Sequence, residues 1–162
     1  MITHSTRSQS TDHFEPRPFQ QAILDIVSET PDDRKIYWIS DTRGNTGKTQ
    51  LARYLCSSRN DVLYISGTGK DLEHAVARMV KKGKPPQIIL FDIWFGAKPF
   101  DYGTIEGIKD GLFFSSRYRS HTVIFDKPHV FIFSNLKPEL RNCSSEDRWI
   151  VYSIDEQYNL TV

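Results

Sequence analysis

DTRGNTGKTQ, residues 41–50, contains Gly-Lys-Thr with a second glycine three residues upstream. It directly follows KIYWIS (35–40), a short apolar run with β-branched and aromatic residues, and precedes TQLARYLCSS, where Leu51, Tyr54 and Leu55 recur at helical spacing. Strand, glycine turn, helix is the setting a phosphate-binding loop requires. Backbone N–H groups point inward from such a turn and the helix dipole adds partial positive charge, so an anion is held without any special side chain. Gly44, Asn45, Thr46, Gly47, Lys48, Thr49 and Gln50 form the expected cradle. Gly47 permits close approach of the backbone, Lys48 reaches the β- and γ-phosphates, and the Thr49 hydroxyl takes Mg²⁺, which makes ATP and Mg²⁺ the expected ligands. The strict spacing has a glycine where this chain has Thr42; Gly44 can supply the permissive φ, and Thr42 is penalised only if its own φ is positive. The alternative is a chance Gly-Lys-Thr in a surface turn.

Outward from this loop the chain alternates. PFQQAILDIVSETP places Phe19, Ile23, Ile26 and Val27 on one helical face, with Pro31 ending the pattern. DVLYIS (61–66), QIILFDI (87–93), HVFIFSN (129–135) and WIVYSI (149–154) read as four further strands, and DLEHAVARMVKK as a helix. Uninterrupted apolar runs imply strands covered on both faces, hence a parallel α/β sheet of five strands. Residues 1–15 are polar and rich in Ser and Thr, which predicts a flexible tail before a single domain over 16–162. A formal charge of +1 excludes a uniformly basic nucleic-acid coat, so any DNA contact must come from local clusters. Cys56 and Cys143 form no metal or disulfide pattern and read as free thiols. With no signal-like or membrane-length apolar stretch, a soluble intracellular protein is expected.

IILFDIW ends a buried strand in Asp92, where the acid can reach Mg²⁺ held by Thr49. Taken alone, Asp92 would read as a strand-end carboxylate making a turn; the phosphate loop upstream in the same chain favours the metal-binding reading. Ile93 occupies the position where a second acid would activate water, which leaves Asp101 and Glu106 as candidates for that base. Ser134-Asn135 ends the fourth strand; Asn135 can hydrogen-bond the attacking water or the γ-phosphate, or it can cap a helix before LKPEL. Arg148, before the fifth strand, is a candidate for stabilising transition-state charge from a neighbouring subunit. A second glycine loop, SGTGKDLEHA (66–75), places Asp71 where a metal-binding hydroxyl would be needed, so Lys70 reads as part of a helix start. RMVKKGKPP (78–86) reads as a solvated helix end.

RPFQ (17–20), IYWISDTRGNTGKTQLARYL, ILFDIW, IKDGLFFSSRYRS, KPHVFIFSN and DRWIVY, in this order and spacing, resemble the superfamily 3 helicase domain of replication-associated (Rep) proteins of small circular single-stranded DNA viruses and their satellites. The resemblance spans about residues 16–154 and is nearest to the nanovirus and alphasatellite group, whose single-acid FDI it shares. It implies a P-loop NTPase fold of AAA+-like type, a parallel five-stranded sheet with flanking helices and an inserted β-hairpin. It implies an ATP-dependent DNA helicase assembled as a ring, a hexamer, around single-stranded DNA, away from membranes and in the nucleus of a host cell. By position, Lys48 and Thr49 match the Walker A pair, Asp92 the Walker B acid, Asn135 the sensor residue and Arg148 the arginine finger. The segment GLFFSSRYRSHTVIFDKPHV matches the hairpin lining the ring's channel. There Arg117, Arg119, His121 and Lys127 alternate with Phe113, Phe114, Tyr118 and Phe125, offering phosphate contacts beside stacking rings, unless the aromatics pack the core. Full-length relatives also carry a nicking domain with a His-hydrophobe-His motif and a Tyr-x-x-Lys; neither occurs here, so no nicking is expected of this chain. A small-molecule P-loop kinase and a nucleotide- and DNA-binding oligomerisation module with little turnover are the alternatives.

Overall fold

A computed structural model describes residues 13–93, 100–116, 120–143 and 145–162. In chain order the elements are α1 (Pro18–Ser28), β1 (Ile36–Ser40), α2 (Lys48–Ser58), β2 (Val62–Gly67), α3 (Gly69–Lys81), β3 (Ile88–Ile93) and α4 (Tyr102–Lys109). Then come β4 (Leu112–Ser115), β5 (His121–Ile124), β6 (His129–Ser134), β7 (Trp149–Ile154) and β8 (Leu160–Thr161). Each of the five apolar runs forms a strand, and these pair in parallel in the order β2-β3-β6-β1-β7. The sheet has six strands, not the expected five, because β8 turns back antiparallel on the outer edge of β7. Hairpin β4-β5 forms a separate two-stranded sheet, inserted between α4 and β6. Of the tail expected over residues 1–15, residues 1–12 lie outside the described residues. Phe14 stacks on Tyr54 of α2 with ring centroids 4.5 Å apart, so packed chain begins before Pro16.

The sheet is covered on both faces, which is why its strands read as runs and not as alternations. On one face Trp38, Ile89, Phe91 and Ile132 pack against Leu72 and Val76 of α3 and Ile105 and Ile108 of α4. On the other, Ile39, Leu90, Phe131 and Phe133 pack against Phe19 and Ile23 of α1 and Leu51 and Leu55 of α2. Right-handed crossovers account for the division: the chain moves outward from β1 to β2 through α2, then back to β3 through α3, so the two helices fall on opposite faces.

This topology sets a switch point between β1 and β6. From β1 the chain leaves toward β2, whereas from the adjacent β6 it leaves the other way, past β1 to β7. Where neighbouring parallel strands send their chains in opposite directions, a cleft opens beyond their carboxyl ends. Ser40 and Ser134 are in register there, and Asp92 of β3 is level with Phe133. Loop 41–47 begins at this point, with the Asp41 N–H donating to the Ser134 carbonyl at 2.8 Å.

Candidate functional site

Loop 41–47 takes its shape from three left-handed residues, Gly44 (φ 71°), Asn45 (φ 55°) and Gly47 (φ 111°). Thr42 is not among the positive-φ residues, so the departure from the strict glycine spacing carries no backbone penalty. Two residues of the RPFQ stretch fasten the loop from outside. Arg17 Nη1 donates to the Thr46 carbonyl, and Gln20 Nε2 donates to the Gly47 carbonyl at 2.7 Å. The Arg17 guanidinium lies 4.0 Å over the Tyr158 ring, and that of Arg43 lies 5.4 Å from it, so the turn before β8 closes against the same loop. Sequence reasoning missed Arg17, Gln20 and Tyr158 as loop supports. The available signal was Gln20 itself, a polar side chain on the buried face of α1, only 1% exposed.

The helix behind the loop starts at Lys48 with Gly47 as its N-cap, and glycine has no side-chain acceptor for the first N–H groups. The other helix starts have acceptors. At the head of α1 the Phe19 N–H donates to the Tyr158 carbonyl at 2.8 Å, Thr68 and Asp71 form a capping box on α3, and Asp101 caps α4. The second glycine loop is therefore a capped helix start, as its Asp71 indicated. At α2 no side chain caps the start, and Thr49 and Gln50 are exposed there.

Asp41 organises the interior of the loop. Asp41 is 1% exposed, and its carboxylate accepts from Thr46 Oγ1 at 2.7 Å, Gly44 N–H at 3.2 Å, Arg43 N–H at 3.3 Å and Lys48 Nζ at 2.5 Å. Burial pushes this carboxyl upward, but the Lys48 ammonium, the Thr46 hydroxyl and the Gly44 N–H together outweigh it and hold it below its ordinary value.

Asp92 is half-buried near the carboxyl end of β3, on the sheet face shared with Leu90 and α2, and Tyr64 Oη donates to its Oδ2 at 3.4 Å. Ile93 points to the opposite face, 9% exposed in the core under α3 and α4. Asn135 is exposed immediately after β6, on a turn pinned to β1: Trp38 Nε1 and Ser40 Oγ both donate to the Leu136 carbonyl, at 2.9 and 3.1 Å. No helix follows directly, so Asn135 is not a helix cap. Lys48, Thr49, Asp92 and Asn135 thus share the carboxyl edge of the sheet. Of the candidate bases, Asp101 is engaged by Thr104 N–H and Oγ1, and buried Glu106 accepts from Trp149 Nε1 at 3.1 Å.

Arg148 does not join this group. It precedes β7 and therefore lies at the amino end of the sheet, a strand length (about 16 Å) from the loop. It is 7% exposed, donates to Asp110 Oδ1 at 2.7 Å and, through Nε, to the Arg34 carbonyl at 3.2 Å. Of the hairpin's basic residues, the two described ones lie apart. Arg117 and Arg119, with Tyr118, lie outside the described residues. His121 begins β5, whereas Lys127 lies three residues beyond the end of that strand, 4.0 Å from Asp33. The hairpin aromatics divide by face: Phe113 and Phe125 pack edge to face on the core side, while Phe114 is 61% exposed beside exposed Leu112 and Ile124.

Among the described residues no three or more His, Cys, Asp or Glu side chains are grouped to hold a metal ion. A Mg²⁺ site here would consist of Thr49, Asp92, ligand oxygens and water, a donor set that suits this hard cation. Among those residues no helix is long and apolar enough to cross a membrane.

The protein is a mixed α/β domain with a mostly parallel six-stranded sheet, flanking helices and a glycine-containing loop at the sheet's switch point. No protein-family model matches the chain, and no solved structure does. The chain is similar to viral replication proteins. It is 28% identical to Para-Rep C3 of Milk vetch dwarf C3 alphasatellite, over 93% of this chain and 52% of that protein. It is 30% identical to Para-Rep C6 of Subterranean clover stunt C6 alphasatellite, over 91% and 50%. To the master replication protein of Faba bean necrotic yellows virus it is 33% identical, over 80% and 42%. Its homologues are thus nanovirus and alphasatellite Rep proteins, and the chain spans about half the length of the curated relatives it matches.

Proposed function

We propose that this chain is an ATP-driven DNA motor, the superfamily 3 helicase module of a replication protein, working on single-stranded DNA as a ring, a hexamer, in the host-cell nucleus. The observation that carries this reading is the meeting of an uncapped α2 start, Lys48, Asp92 and Asn135 at one edge of the sheet. The backbone of Gly44 to Gln50 would cradle the β- and γ-phosphates of ATP, with Lys48 drawing charge from the transferred group. Magnesium held by Thr49 and Asp92 would neutralise charge developing on the phosphate oxygens. Asn135 would orient the attacking water. Phe114 and the hairpin cations would meet the DNA.

Buried Ile93, beside Asp92, favours a second reading, a nucleotide- and DNA-binding module with little turnover. Phosphate release from ATP at high protein concentration, with and without single-stranded DNA, separates the two. The motor reading requires turnover that DNA accelerates and that Lys48→Ala abolishes; ATP binding without hydrolysis under any of these conditions overturns it. Mixing Lys48→Ala with Arg148→Ala assigns Arg148. Restored turnover makes it a finger acting across an interface, having left Asp110, and no restoration leaves it an anchor within the chain.

A further inference from the structure

We propose that Asp41 is an internal counter-anion for Lys48, a positioning residue that holds the lysine and surrenders it when phosphate binds. The inference rests on the nucleotide-binding reading above.

Lys48 Nζ sits 2.5 Å from Asp41 Oδ2, and the lysine side chain retains 16% exposure while the carboxylate has none. The ammonium thus already has an anionic partner within the loop, and the side chain that carries it is not fully closed off from solvent. Asp41 does not depend on Lys48 alone: the Thr46 hydroxyl and the N–H groups of Gly44 and Arg43 remain as donors after the lysine leaves. With three donors remaining, the carboxylate keeps hydrogen-bond partners when the lysine moves. The Asp41 N–H is tied to the Ser134 carbonyl of β6, and therefore the carboxylate stays in place while the lysine moves. Two consequences follow. An incoming anion competes with a carboxylate for Lys48, which favours ligands of high charge such as a nucleoside triphosphate over a monophosphate. Removing the Asp41 charge should also strengthen anion binding, the reverse of what loss of a purely structural residue would do.

The test is calorimetric titration of magnesium and a non-hydrolysable ATP analogue into the wild-type chain, Asp41→Asn, Lys48→Met and the double variant, with thermal melts as a check on folding. Asp41→Asn should melt lower without ligand yet bind the analogue about tenfold more tightly. That gain should shrink below about threefold in the Lys48→Met background, since it arises mainly from release of the lysine. In parallel, the Asp41 side-chain ¹³Cγ resonance of the wild-type chain should move at saturation while keeping its ionised-carboxylate position, a readout that does not depend on the variant folding. A folded Asp41→Asn that binds no more tightly than wild type, or an Asp41 resonance that does not move at saturation, overturns the inference while leaving nucleotide binding intact. A wild-type chain that binds no analogue overturns the parent reading and this inference with it.

Discussion

Replacing Gly47 by alanine should cost the ligand-free chain about 3 kcal/mol, whereas the same change at Gly44 should cost about 1 kcal/mol. Both glycines are left-handed, so each substitution meets a backbone penalty of roughly 1–2 kcal/mol. Their surroundings differ. A Cβ at Gly44 meets nothing within 4 Å, but one at Gly47 falls 2.7 Å from Gln20 Nε2. That amide is 1% exposed and bonded at both ends, to the Gly47 carbonyl and the Arg17 N–H. It can yield only by breaking a bond in a place water does not reach, which adds about 1–2 kcal/mol. In a chain of 162 residues each kcal/mol corresponds to about 2–4 °C, so Gly47→Ala should lower the melting temperature by roughly 6–12 °C and Gly44→Ala by roughly 2–4 °C. Thermal and urea melts without nucleotide measure the difference. Equal losses, or a larger loss at Gly44, would refute the claim that α1 braces the loop through Gln20.

Asp92→Asn should leave nucleotide binding within a few-fold of wild type while lowering magnesium-dependent ATP hydrolysis by about two orders of magnitude, measured by phosphate release. Lys109, 1% exposed with Nζ 2.7 Å from the Pro128 carbonyl, is lowered to about 8 by burial, against the opposing pull of Asp32. Between about pH 8 and its ordinary value the folded chain therefore sheds this proton before the unfolded chain does, and stability from this group rises with pH. Lys109→Met should remove that rise, which the difference between wild-type and variant melting temperatures from pH 7 to 9.5 reports. Phe114→Ser should change stability by less than about 0.5 kcal/mol, because the ring is largely exposed, yet weaken single-stranded DNA binding by roughly 5–100-fold in a fluorescence anisotropy titration.

The strands were legible because burial on both faces leaves no polar residue to interrupt a run; 35–40 and 149–154 became Ile36–Ser40 and Trp149–Ile154. β8 was not, since two residues show no period. Neither was α4, whose YGTIEGIK carries two glycines and buries Glu106 and Lys109 among its apolar residues. At the site, the glycine loop and Asp92 stand out through their positions after strands. Asp41 does not: a carboxylate beside a phosphate loop reads as repulsion until the fold shows which donors surround it. The position of Arg148 was open to inference, because a residue that precedes a parallel strand lies at the end opposite a loop that follows one. Its commitment to Asp110 was not, since that pairing joins segments 38 residues apart.

The most direct test of the site is a titration of magnesium and a non-hydrolysable ATP analogue into the ¹⁵N-labelled chain, followed residue by residue. The largest shifts are expected over Asp41–Gln50, at Asp92 and at Asn135, with Lys109 nearly unmoved. Shifts centred on the amino end of the sheet, or none at millimolar ligand, would contradict that expectation.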